Sequence, residues 1–209
     1  MKRQELEHIV RAAAGITGEK EFIVLGSQSI LGKFPDAPHS QRHSMEVDIY
    51  PREHPELAEL INGCLGEFSA FHTTFDHYAD GVSPTTAILP RGWEDRLVRF
   101  SNENTNGAVA HCLDPLDLAY AKLAAGRPKD LNYVVELTRY HFIKPSALSS
   151  LRTGRRLGIE SRHDRTLAGR SGQKASPRKA LYQAARNEDL AEETAGVVRK
   201  KERGRFPRA

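Results

Sequence analysis

Glu46 and Asp48 flank Val47 in the run Met45-Glu46-Val47-Asp48-Ile49-Tyr50, where apolar and acidic residues alternate with the period of a strand. That alternation sends both carboxylates to one face, about 7 Å apart along the chain, and sends Met45, Val47 and Ile49 to the other. Carboxylates so placed converge on hard cations such as Mg²⁺. Upstream, the apolar run Phe22-Ile23-Val24-Leu25 leads into Gly26-Ser27. Glycine has no Cβ and a helix start leaves N–H groups unpaired, so a strand entering Gly-Ser and a short helix offers backbone donors to a phosphate. Alone, a Gly-Ser junction is an ordinary turn and a pair of alternating acids is an ordinary solvated face. In this order and within one short stretch they point to nucleotide chemistry.

A second constellation lies beyond residue 113. Asp114-Pro115 opens a helix as N-cap and first helical residue, and Lys122 sits two turns in. Gly126-Arg127-Pro128-Lys129-Asp130 follows, with Pro128 suited to begin another helix. On its own, Lys129-Asp130 reads as a solvated helix start.

Gly-Ser ahead of the acidic strand resembles the first motif of the nucleotidyltransferase superfamily that includes DNA polymerase beta. More narrowly, Arg42-x-Ser44-x-Glu46-Val47-Asp48 is similar to the Arg-x-Ser/Thr-x-Asp-Ile-Asp signature of its abortive-infection and toxin-like branch, with Glu46 where Asp is commoner. Lys122, Arg127, Lys129 and Asp130 resemble the second motif of that branch, which implies a lysine ammonium that neutralises the departing pyrophosphate and a carboxylate at a helix start that either completes the metal site or orients that lysine. The resemblance implies an α/β (α+β) fold, a mixed sheet flanked by helices. It implies Mg²⁺-dependent transfer of a nucleoside monophosphate from a nucleoside triphosphate to an acceptor hydroxyl on RNA, tRNA included, or on protein. Glu46, Asp48, Lys129 and Asp130 would be catalytic, with Glu46 and Asp48 holding the metal. Gly26, Ser27, Arg42 and Lys122 would bind the nucleotide. A toxin role with a cognate antitoxin is implied as well. Glu46 and the lack of an evident third strand carboxylate, since Glu94, Asp95 and Glu103 sit beside turns, favour the alternative of a catalytically inactive nucleotide- or RNA-binding module.

The elements that must position these residues follow from periodicity and turn chemistry. Residues 4–14 form a packing helix through Leu6, Ile9, Val10 and Ala13. A strand over 21–25 enters a helix to about Leu31 capped by Ser27, and 32–41 is a connector or a substrate lid. Arg42 would hold a phosphate or neutralise Glu46. A helix over 55–65 carries Leu57, Leu60, Ile61 and Cys64 on its apolar face. Residues 68–79 are aromatic and unassigned, with His72 and His77 read as packing or surface histidines, not metal ligands. Strands are expected at 85–89, 96–101 and 108–112, the last two as a hairpin, with Trp93 and Arg96 against the sheet edge. Helices are expected over 114–126 and 128–140, and a short one over 145–153.

Length allows one well-buried domain with extensions, or two small ones. The boundaries expected are a domain over 1–150, with a core at 20–113 and a helical part at 114–153, then a basic tail over 154–209. Leu151 to Ala209 holds 16 Lys and Arg against 7 Asp and Glu, and the remainder holds 15 against 20. The tail therefore reads as a linker over 161–178, a helix over 179–202 and a basic cluster, either solvated or in contact with a polyanion such as RNA. No apolar run is long enough for a membrane span, and the first residues carry no apolar signal core. Cys64 and Cys112, far apart in sequence and in apolar surroundings, read as buried thiols of a cytoplasmic protein.

Overall fold

The computed structural model describes residues 1–148. Five short strands make one mixed sheet: β1 (Glu21–Val24), β2 (Glu46–Pro51), β3 (Tyr78–Gly81), β4 (Val98–Phe100) and β5 (Val109–Cys112), in the order β3-β2-β1-β5-β4. β1 runs antiparallel to β2 and parallel to β5, β2 runs parallel to β3, and β4 runs antiparallel to β5. Phe22, Ile23 and Val24 are buried in succession, as expected of a central strand covered on both faces. In β2 Val47, Ile49, Tyr50 and Pro51 are buried and Glu46 and Asp48 are half-buried, so the two acids line the more accessible face.

Helix α1 (Arg3–Thr17) buries Leu6, Ile9, Val10 and Ala13 and ends at Gly18, whose φ of 76° is the left-handed cap that glycine adopts without penalty. Its Glu7 is also buried, and it is held by Arg3 Nε at 3.0 Å, Asn102 Nδ2 at 2.7 Å and Asn104 Nδ2 at 2.8 Å. Those bonds fasten the β4–β5 connection to α1. A tight turn at Ser27–Ser29 precedes α2 (Ile30–Lys33), and α3 (Ala58–Leu65) follows a turn at Pro55–Leu57. α4 (Ala70–Phe75) is capped by Ser69, whose hydroxyl accepts from the His72 N–H. Finally α5 (Pro115–Ala125) and α6 (Pro128–Arg139) pack on each other, each with proline in its first turn. Asp114 caps α5 by accepting from the Leu116 N–H at 2.9 Å.

The mixed α/β architecture and the β4–β5 hairpin are as the sequence predicts. The strand expected over 85–89 is instead a turn and irregular chain. There the Ser83 hydroxyl accepts the Thr85 N–H, and a Thr86 N–H bond to the Ser83 carbonyl closes the turn, so local bonds replace a ladder. Ser27 does not cap by its side chain, because Gly26 holds the cap position with φ 61°. The buried face of α3 runs through Ala58, Ile61 and Leu65, which leaves Leu60 and Cys64 exposed, contrary to the expected stripe. Cys112 is buried, and burial pushes its thiol up to about 12.

The segment 32–41 is packed down as a connector. Phe34 stacks on Phe142 at 4.1 Å, Ala37 and Gln41 are buried, and Gln41 Nε2 reaches the Tyr133 carbonyl. Trp93 packs on the core, and Arg96 forms a two-pronged ion pair with buried Asp117 at 2.7 and 2.9 Å, joining the chain before β4 to α5. Residues 145–148 are helical. The rest of the helix expected over 145–153, the linker at 161–178, the helix at 179–202 and the basic cluster lie outside the described residues. Among the described residues no helix is long and apolar enough to cross a membrane.

Candidate functional site

Strand alternation puts Glu46 and Asp48 on one face of β2, and the parallel register with β3 sets Asp48 opposite Asp80 and Glu46 opposite Tyr78. One oxygen each from Glu46, Asp48 and Asp80 falls within a group whose members all lie within 4.8 Å of one another. Asp80 is a residue that sequence reasoning missed. Its strand is four residues long, runs into Gly81 and follows the aromatic stretch that periodicity left unassigned. The only signal was the alternation Tyr78-Ala79-Asp80.

The other two acids raise the cost of ionising Asp48. Burial, followed by the charges of Glu46 and Asp80, lifts Asp48 from 3.8 to about 6, against the pull of Lys122 and Arg127. Tyr78 donates its hydroxyl to Glu46 Oε2 at 3.1 Å, and burial and the Glu46 charge push the phenol up to about 12. An all-oxygen set that is short of positive charge fits a hard divalent cation such as Mg²⁺.

Gly26 belongs to this centre for a steric reason. A Cβ at residue 26 would collide with Asp48 Oδ2, and its positive φ would strain any other residue. The Asp48 carboxylate therefore sits against the Gly26 backbone, which brings the turn and the acidic strand together as the sequence predicts.

The opposite wall comes from α5 and α6. Asp130, almost fully buried at the start of α6, accepts from Lys122 Nζ at 3.2 Å and from Arg127 Nε at 2.5 Å. Burial pushes the Asp130 carboxyl up, but these two cations hold it below the usual carboxylate range. Lys122 is drawn down by burial and supported by Asp130, and its ammonium lies 4.3 Å from the centre of the Tyr133 ring. The Tyr133 hydroxyl donates to the Ser27 carbonyl at 2.8 Å. Thus α6 holds both the lysine and the Gly-Ser turn. Tyr133 is a further residue of the site that the motifs did not single out, and Arg127, part of the second motif, was given no role there. Arg127 is exposed, and it feels the charges of Asp48 and Glu46.

Of the residues expected here, Gly26, Ser27, Glu46, Asp48, Lys122 and Asp130 come together. Asp130 orients the lysine and is not part of the carboxylate triad. Arg42 turns elsewhere, its Nε donating to the Ala37 carbonyl at 2.6 Å, so its bond closes the connector and does not neutralise Glu46. Lys129 is exposed on the first turn of α6, where helical geometry points it away from Asp130. His72 and His77 lie outside the carboxylate triad. His77 instead lies 3.2 Å from His8, among Phe71 and Phe75.

A Gly-Ser turn against paired acids on a mixed sheet, faced by a helix-borne lysine, is the plan of the nucleotidyltransferase superfamily. The comparison with protein families makes the assignment specific. Residues 4–164 match the family described as a nucleotidyltransferase of unknown function, DUF6036, and the chain belongs to that family. No curated protein and no solved structure gives a significant match.

Proposed function

We propose that the protein transfers a nucleoside monophosphate from a nucleoside triphosphate to an acceptor hydroxyl, in the cytoplasm, with Glu46, Asp48 and Asp80 as the metal-holding carboxylates. The observation that carries this reading is the convergence of those three acids beside Gly26, opposite Lys122 and Arg127. The backbone N–H groups of the Gly26-Ser27 turn cradle the triphosphate. Lys122 and Arg127 meet the charge of the β- and γ-phosphates, and Asp130 holds both cations in place. Mg²⁺ bound to the triad would polarise the α-phosphate and lower the pKa of the acceptor hydroxyl. The acceptor oxygen bonds to the α-phosphorus, the bond to the bridging oxygen breaks, and pyrophosphate leaves toward Lys122. The hydroxyl proton passes to a triad carboxylate or to water. Catalysis of this kind rests on positioning and charge. Lys122 takes the role of pyrophosphate partner over Lys129, because it is the lysine that Asp130 directs inward.

The acceptor is RNA, tRNA among the candidates, or protein, and the basic tail favours RNA. The toxin role, with an antitoxin partner, rests on the similarity of Arg42-x-Ser44-x-Glu46-Val47-Asp48 to the toxin-like signature. Incubating the protein with each labelled triphosphate, total RNA and cell extract tests these points. Label in a product destroyed by ribonuclease assigns RNA, and label in a product destroyed by protease assigns protein.

A second reading is a nucleotide-binding module without turnover. It is favoured by Glu46 in the usual Asp position, with one oxygen already accepting from Tyr78. Nucleotide binding without pyrophosphate release in that assay would select it.

A further inference from the structure

The rings of α4 and the segment before it divide into two sets. Phe71 and Phe75 contact His8 of α1 and His77, and Phe71 packs against the core while Phe75 stays 47% exposed. Phe68 and His72 run the other way. The His72 ring lies 4.6 Å from the Tyr78 ring, and the Phe68 ring lies 6.3 Å from His72. Tyr78 is in turn bonded to Glu46 of the carboxylate triad. A line of three rings therefore starts at the candidate transfer centre and ends at Phe68, which is 84% exposed.

This line is held in place. The Phe68 N–H donates to His72 Nδ1 at 3.0 Å, and an accepting Nδ1 places the imidazole proton on Nε2. Phe68 itself has a φ of 65°, a conformation unfavourable for a bulky side chain. A large aromatic side chain left bare costs solubility, and here nothing among the described residues covers it.

We propose that Phe68 and His72 form a nucleobase-stacking site continuous with the triad through Tyr78, taking a base of the substrate whose phosphate or hydroxyl reacts at Glu46, Asp48 and Asp80. This deepens the nucleotidyltransferase reading and rests on it. Every nucleobase presents a π-face, and stacking on an aromatic side chain tolerates any base sequence. The backbone and Lys122 hold phosphates on the other side of the triad, so the ring line gives a separate grip on the heterocycle. The base belongs either to the donor triphosphate or to the terminal nucleotide of an RNA acceptor.

The test is a binding measurement that needs no turnover. Equilibrium dialysis with each of the four triphosphates, and with a short single-stranded RNA and its abasic counterpart, is compared for the wild type, Phe68→Ala and Phe68→Trp. Phe68 is exposed, so its removal leaves the core intact. Phe68→Ala is expected to weaken a base-bearing ligand about tenfold or more, Phe68→Trp to retain it, and the abasic strand to bind the wild type and Phe68→Ala alike. Weakening confined to triphosphates assigns the donor base, and weakening confined to RNA assigns the acceptor base. Equal binding of all base-bearing ligands to the wild type and Phe68→Ala overturns the proposal, as does a variant that changes only the oligomeric mass. If transfer activity is present in that case, the stacking site falls and the transferase reading stands. If the wild type binds no base-bearing ligand at all, both fall.

Discussion

At the scale of single residues, Asp48 carries the clearest consequences. Its carboxyl ionises at about 6 in the folded protein against 3.8 for a free side chain, so the folded state holds the extra proton between those values. Without bound metal, the contribution of Asp48 to stability is fully present below about 4, is lost as pH rises through 6, and stays absent above it. Asp48→Asn removes that loss. In chelator at pH 8 the variant should be more stable than the wild type by up to about 3 kcal/mol, and the difference should vanish near pH 4. Denaturant unfolding at the two pH values checks this. A gain of equal size at both would mean that the shift is not the cause. Adding Mg²⁺ at pH 8 should stabilise the wild type and not the variant. Gly26→Ala tests the other side of the same contact, since its Cβ and the Asp48 carboxylate claim one space. It should cost at least about 1 kcal/mol and abolish the Mg²⁺-dependent stabilisation, as thermal melts with and without the ion would show.

At the scale of elements, α6 connects the basic wall to the Gly-Ser turn. Asp130→Ala leaves Lys122 and Arg127 without their shared partner, and breaking a buried pair of this kind should cost roughly 3 kcal/mol. Tyr133→Phe deletes only the bond to the Ser27 carbonyl and should cost about 1 kcal/mol. If the turn binds the triphosphate, the Tyr133 variant should raise KM for the nucleotide more than it lowers kcat. An unchanged KM with a reduced melting temperature would make Tyr133 a packing residue only. These elements also show what the sequence disclosed. Long helices with clear caps, the acidic alternation of β2 and the Asp114-Pro115 start were legible because each is a local signal. β3 was not, because four residues beside a glycine carry too little periodicity, and with it Asp80 was hidden. The partner of Asp130 was open between metal and lysine, since only tertiary packing of α5 on α6 decides it. Arg42 was misleading for the same reason: its sequence distance from Glu46 is short, but its guanidinium is bound to Ala37.

At the scale of the molecule, charge is divided between an acidic body and a basic tail, with 16 Lys and Arg against 7 Asp and Glu from Leu151 onward. If the tail holds an RNA acceptor, a chain ending after residue 150 should bind single-stranded RNA more weakly and with a shallower dependence on salt, while its triphosphate affinity is unchanged. Anisotropy titrations between low and physiological salt measure both. The central claim concerns the triad, and the most direct measurement compares Mg²⁺-dependent label transfer from nucleoside triphosphates by the wild type, Asp48→Asn and Asp80→Asn, each first shown to be folded. The account predicts transfer by the wild type and a loss of about a hundredfold or more in both variants, Asp80 included, since each removes a charge from the metal-holding set. Full activity in Asp80→Asn would contradict a three-carboxylate centre, and full activity in Asp48→Asn would contradict the site altogether.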